Sequence, residues 1–551
     1  MNMRIFAVFT LTLPLGAQDA LLPSPRFPDA AFFRQSFSRE LPRVEINPPV
    51  RLSDFAVGDH LELSLRSYIE LVLANNTDIQ VQRLSIETSR NAITRAYGRF
   101  DPSVVTSFSA TRANQQSTNI LQGANNLRTL NQPFSFAYDQ TLPSGTSYQV
   151  GFTTSKSATN DQFSTFNPSI TSGLRMQFSQ PLLRNRGGYA NRIPIMVARS
   201  RLRQTEYNLN DTLIRLLQQA ELAYWNVIDS RESLQVQEKG LSVQAQFLKR
   251  SQRELELGAI SALDIYQPQQ SYATQEVAVT QARYRLQQTE DVLRRQMGAD
   301  MNPEFRNMPI VLTESAMPPT DERPLDKESY VETAYRYRTD LKAQLQSLDI
   351  DDLNYRTAQN RLQPDFSLGG IYLSNGRGGN FIPRTTAIGS TAGASSSIVY
   401  GGLTDALGHV FGFDFPTYTF SLTLRLPIRD RVAQADLADA TVSKRLDSLR
   451  ARSLEQTIRL DVLNAITQVE NSRASVKLAE VALDFSQKRL DAEQKKYDLG
   501  VTTIFFLLDA QNSLTSAQAN VVRQSVDYRR NLLSLLRVTG TLLEERGVAV
   551  Q

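Results

Sequence analysis

Three kinds of residue could carry chemistry in this chain, and their spacing suits none of the usual reactions. His60 and His409 are the only histidines and lie far apart, both in segments that read as loops, so solvated side chains are expected rather than a metal pair. There is no cysteine, which removes disulfides, thiol nucleophiles, cysteine zinc sites and lipid attachment through an N-terminal cysteine. The acidic run Asp349, Asp351 and Asp352 reads as a solvated helix face, and Gly376 to Gly379 lack the Lys-Ser/Thr of a phosphate loop and read as loop flexibility. No H-E-x-x-H, G-x-S-x-G, Walker or dinucleotide fingerprint occurs, so no catalytic residue, metal or cofactor is expected and the chain does not read as an enzyme.

Stepping from side chains to elements, the long segments carry a strict seven-residue apolar spacing. In the first half it runs Leu213, Ala220, Val227, Leu234, Leu241, Leu248 and Leu255, then Ile265, Tyr272, Val279, Leu286 and Leu293. In the second half it runs Val462, Val469, Val476, Leu483, Leu490 and Tyr497, then Leu507, Leu514, Val521, Tyr528 and Leu535. Such a repeat keeps one seam turned to a neighbour, so each half predicts an antiparallel helical hairpin. The stripe is narrower than a solid bundle needs, which fits helices wet on two sides and equally an ordinary coiled coil. An arm from Asn191 to Leu257 would reach on the order of 100 Å at about 1.5 Å per residue.

The two halves match each other. Leu63 to Val104 aligns without a gap on Leu325 to Phe366, pairing Thr77-Asp78 with Thr339-Asp340 and Pro102 with Pro364. Leu213 to Gly298 aligns on Glu455 to Gly540, pairing Leu257-Gly258 with Leu499-Gly500 and Gly298 with Gly540, glycines placed where helices should end.

Between the helices the period changes to two. Tyr418, Phe420, Leu422, Leu424 and Leu426 alternate with Thr417, Thr419, Ser421, Thr423 and Arg425 before Pro427; Leu174, Met176 and Phe178 do so before Pro181, and Phe366, Leu368 and Tyr372 more weakly. A strand between lipid and a wet lumen gives this pattern, and so does a sheet with one solvated face. Gly-, Ser- and Asn-rich stretches such as Asn375 to Ser397 suit long barrel loops. A further hairpin in the first half, Phe134 to Gln140 and Ser147 to Thr153 around Leu142 to Gly145, has no counterpart in the second half; it adds two strands or folds elsewhere.

Composition bounds the class. Lys and Arg outnumber Asp and Glu by 60 to 56 over 551 residues, and a net +4 without a basic stripe argues against nucleic acid as a partner. Arg4, the apolar run Ile5 to Leu15 and Gly16-Ala17 predict a signal peptide, 1–17. No later stretch approaches the ~20 apolar residues of a membrane helix, so any membrane crossing must use strands. The expected organisation is a Pro-rich extension, 18–60; a first repeat, 61–298, with β segment 104–179 and hairpin 190–298; a linker or equatorial segment, 299–324; a second repeat, 325–540, with β segment 366–426 and hairpin 431–540; and a tail, 541–551.

Taken in order, these features resemble the TolC family of outer-membrane efflux proteins over roughly Leu61 to Gly540. Both repeats, the exits Gln180-Pro181-Leu182 and Leu426-Pro427-Ile428, both Leu-Gly turns, Tyr497 to Ile504 and Leu507 to Ala510 carry the resemblance. It implies a mainly α fold with a transmembrane β part: two tandem repeats forming coiled-coil hairpins of an α-barrel tube, plus β-barrel strands, four per subunit, shared in a homotrimer. It implies a passive exit duct in the outer membrane with most of its mass in the periplasm, contacting outer-membrane lipid and working with a periplasmic adaptor and an inner-membrane transporter. Asp264 and Tyr497 fall on its gate positions and Asp509 on an acidic ring at the mouth; Thr502 stands where a gate arginine is usual and Phe506 where a second ring acid is. Leu257, Gly258, Leu499 and Gly500 fall on the hairpin turns where an adaptor docks. Asp264 also reads as a capping-box partner of Ser261, and Tyr497 as a heptad-core aromatic. The competing class is a periplasmic coiled-coil adaptor or spacer, which usually carries one hairpin rather than two.

Overall fold

The computed structural model describes residues 52–117, 124–161, 164–258, 260–301, 303–317, 325–383 and 397–548, all within one unit, Pro48–Gln551. The expected signal peptide, most of the 18–60 extension and 318–324 of the linker lie outside the described residues.

A short turn, Leu52–Phe55, leads into β1 (Ala56–Val57), β2 (His60–Leu63), α1 (Leu65–Asn75) and α2 (Thr77–Tyr97). Five strands follow: β3 (Ser103–Phe108), β4 (Thr111–Gln116), β5 (Asn126–Thr141), β6 (Ser147–Thr159) and β7 (Phe166–Pro181). Then come α3 (Gly187–Glu256), α4 (Tyr266–Gln296), β8 (Ile310–Leu312), α5 (Lys327–Tyr337) and α6 (Thr339–Arg361). The chain continues through β9 (Asp365–Phe381), α7 (Leu403–Gly412), β10 (Pro416–Arg425), α8 (Arg431–Asp498), α9 (Ile504–Thr539) and α10 (Leu542–Glu545).

The 70 residues of α3 and 68 of α8 each extend roughly 100 Å. They carry the molecule's length, and shorter helices lie between or beside them. Towards the Leu-Gly turns the side-by-side order is α4, α3, α9, α8; towards the sheet it is α2, α3, α6, α8. Helix starts are capped where the orphan N–H groups need it: the Asn76 side chain accepts from the Asp78 and Ile79 amides, and Asp430 from Ala433. The heptad residues are sealed at mid-length, with Ala220, Val227, Val462 and Val469 at 2% exposure or less. Further down, Leu241, Leu248, Leu483 and Leu490 are only half-buried.

At mid-length Tyr68, Leu71, Tyr224, Leu293, Met297 and Phe305 form the largest core, closed by the parallel pair β2–β8. The tail returns here too: Leu542 packs on Ile69, Ile214 and Leu217, and Arg546 pairs with the buried Glu221 at 2.5 Å.

The sheet runs β10-β9-β7-β6-β5-β3, antiparallel throughout, with β4 continuing the β3 edge. β3 and β4 hold one register on β5, Ser103 opposite Asp139 and Thr111 opposite Asn131. Their break falls where Ser109 donates to the Pro133 carbonyl at 3.1 Å, because Pro133 has no N–H to return. Among the described residues no helix is long and apolar enough to cross a membrane.

Several expectations need correction. The sheet is six strands wide rather than four, because the extra hairpin stands inside it as β5 and β6. β9 runs through Gly376–Gly379, which reads as loop in the sequence, to Phe381; Gly376 and Gly378 are needed because α7 rests its backbone on them at Ala406 and Gly402. His60 opens β2, and His409 sits in α7 with Nδ1 2.7 Å from Asp414, so neither is in a loop. Asp351 and Asp352 face α8 rather than open solvent: Lys444 pairs with Asp352 at 2.9 Å, and Asp351 has a buried carboxylate oxygen without a hydrogen-bond partner.

Candidate functional site

The two hairpins turn in the same way. α3 passes through Leu257 to Gly258 at φ +73°, and α8 through Leu499 to Gly500 at φ +73°. Gly500 N–H reaches the Tyr497 carbonyl at 2.9 Å and Val501 N–H the Lys496 carbonyl at 2.9 Å, which satisfies the last carbonyls of α8 and requires a left-handed residue between them. The price of this sharp stop is exposed hydrocarbon: Leu257 is 83% and Leu499 79% exposed, with Leu263, Tyr266 and Val501 exposed nearby. Phe506 lies half-exposed at the start of α9, its ring 5.5 Å from that of Phe505 and edge-on to it. Thr502 lies in the turn before α9.

Asp264 is held inside its own turn. Its carboxylate accepts from the Ser261 amide at 3.1 Å, and Ser261 Oγ accepts from the Leu263 amide at 3.2 Å. Tyr497 is half-buried, and its hydroxyl donates to Glu254 of α3 at 2.9 Å. Arg250 lies over the Tyr497 ring at 4.9 Å while pairing with Glu254 at 2.9 Å and Asp498 at 3.4 Å. Burial, and then the bond to Glu254, push the Tyr497 hydroxyl up to about 12. Asp509 is not a lone carboxylate: Arg489 of α8 pairs with it at 2.6 Å, both side chains half-exposed.

Of the residues singled out in the sequence, the turns bring Leu257, Gly258, Leu499, Gly500, Thr502 and Phe506 to the hairpin ends, and Tyr497 to the last turn of α8. Glu254, Arg250, Asp498 and Arg489 complete the network and were not singled out. Arg250 and Glu254 do carry the i,i+4 spacing of a helix ion pair, the one local signal available. Among the described residues, the ends hold no cluster of metal ligands. They expose apolar side chains beside a set of charge contacts.

Long helices joined to a two-faced antiparallel sheet define the class, since this is the fold of solved outer-membrane channels. CusC superposes with a TM-score of 0.60 at 14% identity, covering 92% of this chain and 99% of that one. The Campylobacter jejuni CmeC channel gives 0.58 at 14% identity, covering 92% and 94%, and the open Neisseria gonorrhoeae MtrE channel 0.55 at 16%, covering 87% and 89%. The chain belongs to the outer membrane efflux protein family, whose sequence profile matches residues 68–299 and 331–541. Among curated relatives, TolC of Escherichia coli (strain K12) is 22% identical over 329 residues, 60% of this chain. That match spans 62% of the relative's own length. The outer membrane efflux protein BepC of Brucella suis is 21% identical over 363 residues, 65% of this chain and 70% of BepC.

Proposed function

We propose that this chain is one subunit of a homotrimeric, passive exit duct that crosses the outer membrane as a β-barrel and the periplasm as an α-helical tube. The observation that carries the reading is the sorting of the sheet. Following the pairing from strand to strand, Val104, Tyr138, Val150, Met176, Tyr372 and Tyr418 form one row, all on one face. Their neighbours in sequence, Ser103, Asp139, Gln149, Gln177 and Thr419, lie on the other, where Ile371 of β9 is the one apolar member of the row. Lipid outside and water inside would favour this division, which five of the six strands keep in this row. The ten residues of β10 also meet the ~9–11 that a tilted strand needs to cross a bilayer.

The helical layer supports the tube. Its outer edges leave apolar stripes exposed, Leu478, Val481 and Phe485 on α8 and Val277, Tyr284 and Val292 on α4. Edges of this kind suit neighbouring copies, and the half-buried lower heptads would be completed by them. The regions 61–298 and 325–540 then read as two copies of one unit, with 303–317 and 541–548 packed around the middle.

At the tip, Asp264, Tyr497, Thr502, Phe506 and Asp509 would line the aperture, and Leu257-Gly258 and Leu499-Gly500 would receive a periplasmic adaptor. An inner-membrane transporter would supply energy and specificity. Planar-bilayer conductance of the purified protein tests the proposal, wild type beside Asp509→Ala, with divalent cations on the tip side. Cation-selective pores blocked by divalent ions, with block weakened in Asp509→Ala, support the duct and its acidic mouth. Folded protein that remains soluble and gives no conductance overturns the duct.

A further inference from the structure

We infer that the hairpin β5–β6 is a built part of the membrane wall, so that three subunits close an eighteen-stranded barrel, with β10 of each copy pairing the β3–β4 edge of the next. The inference rests on the trimeric duct proposed above and specifies how its membrane part is made.

Register is the first ground. Phe136 stands opposite Phe152, and Phe152 opposite Leu174 of β7, while Ser135 stands opposite Thr153. The hairpin therefore continues the apolar and polar faces of its neighbours without a slip, although a one-residue slip would reverse every side chain. A hairpin folded away from the sheet would not carry that division across to β7.

The hairpin's turn is the second ground. The Gly187 amide donates to the Ser144 carbonyl at 3.2 Å, joining the turn to the start of α3. Gly145, at φ +90°, sits so close that a Cβ there would lie 2.7 Å from the Asn185 carbonyl oxygen. The turn is thus seated where β7 leaves the sheet, and β5 ends and β6 begins at the level of that exit.

The third ground is closure. The six-strand sheet has two open edges, and β3 and β10 are exposed at every residue. Bare edges carrying Val104, Phe108, Phe420 and Leu422 would aggregate unless paired. With an even number of alternating strands per copy, β10 meets the next copy's β3 antiparallel, and the ring closes without a parallel pair. At an interstrand spacing of about 4.8 Å and a tilt of about 40°, eighteen strands give a backbone radius of roughly 18 Å and twelve roughly 12 Å. A tube of twelve helices about 9.5 Å apart has a radius of roughly 18 Å, so the wider barrel continues such a tube without a step.

The cysteine-free chain permits a direct test in liposomes. Single cysteines at Ser135, Phe136 and Leu422 are labelled with a fluorophore, then exposed to nitroxide-bearing lipid or to aqueous iodide. The inference expects Phe136→Cys and Leu422→Cys to be quenched by lipid, and Ser135→Cys by iodide. Lipid quenching at Leu422→Cys without it at Phe136→Cys overturns the eighteen-stranded wall and leaves the duct standing; quenching by lipid at neither position overturns the duct itself. A second measurement uses a variant lacking 120–160, which joins β4 to β7 as an antiparallel pair. Graded polyethylene glycols added to the extracellular side should show an exclusion radius reduced to about two-thirds of wild type; an unchanged radius also overturns the wider wall.

Discussion

The Tyr497 hydroxyl donates to the Glu254 carboxylate at 2.9 Å, linking the last turn of α8 to the last turn of α3 across 243 residues of sequence. Arg250 holds both partners, stacked on the ring and paired with the carboxylate. If this contact restrains the tip, Tyr497→Phe keeps the stacked ring and removes only the bond. For a partly buried charged acceptor that is worth about 1 kcal/mol or somewhat more, at least roughly a fivefold shift in open probability. Single-channel recording checks it, and an unchanged open probability counts against the restraint. Because the hydroxyl is pushed up to about 12, the donor form persists well above its ordinary range. Deprotonation would break the contact only near pH 12, so channels that open near pH 10 would point to another group.

Arg489 sits 2.6 Å from Asp509, which alters what the proposed acidic mouth could do. In the proposed trimer, a cation beside each carboxylate would offset the negative potential that three copies would otherwise concentrate. Arg489→Ala should therefore raise cation selectivity and Asp509→Ala lower it, both read as reversal potential across a salt gradient. An exposed pair of this kind contributes only about 0–1 kcal/mol to stability, so neither change should move the melting midpoint appreciably. Equal reversal potentials in wild type and Arg489→Ala would mean the pair lies outside the ion path.

How much of this was legible in the sequence depended on whether a signal was local. Gly258 and Gly500 could be read as helix stops because a left-handed residue after a long apolar period has few other uses, and β10 could be read because its alternation is uninterrupted up to Pro427. The end of β9 could not, since Gly376–Gly379 serve close packing against α7, and close packing and loop flexibility use the same residue type. The acidic stretch in α6 looked solvated because the helix that covers it, α8, begins about 80 residues later. Glu254 and Arg489 were missed for the same reason: each partner is named only once the hairpins lie side by side.

Asp351 offers a prediction with a definite sign. Burial, and then the nearby Asp447, hold its carboxyl above the ordinary aspartate range. A raised acid binds more protons folded than unfolded, so its contribution to stability is lost as pH rises from the unfolded pKa through the folded one. Asp351→Asn removes that cost while keeping the shape. It should raise the melting midpoint at neutral pH and leave it nearly unchanged at pH low enough to protonate the wild-type group. A variant less stable than wild type at neutral pH would show that the ionised carboxylate is needed, for instance to orient Arg450, which pairs with Asp447 at 2.9 Å.

The Leu-Gly turns allow folding and docking to be separated at adjacent residues. At Gly500 a Cβ would meet nothing within 4 Å, yet φ is +73°, so Gly500→Ala carries a purely conformational cost of about 1 kcal/mol. Gly500→Asn should cost less, because its short polar side chain tolerates the left-handed region. Leu499 is the converse case: at 79% exposure it contributes little to the fold, so Leu499→Ser should leave the melting midpoint in place. If the turn receives an adaptor, Leu499→Ser should weaken cross-linking of the tip to that partner in intact cells, although the purified channel conducts normally. Loss of stability in Leu499→Ser would mean that neighbouring copies already cover the leucine and that docking uses another surface; unchanged cross-linking with unchanged stability would remove the leucine from the docking site altogether.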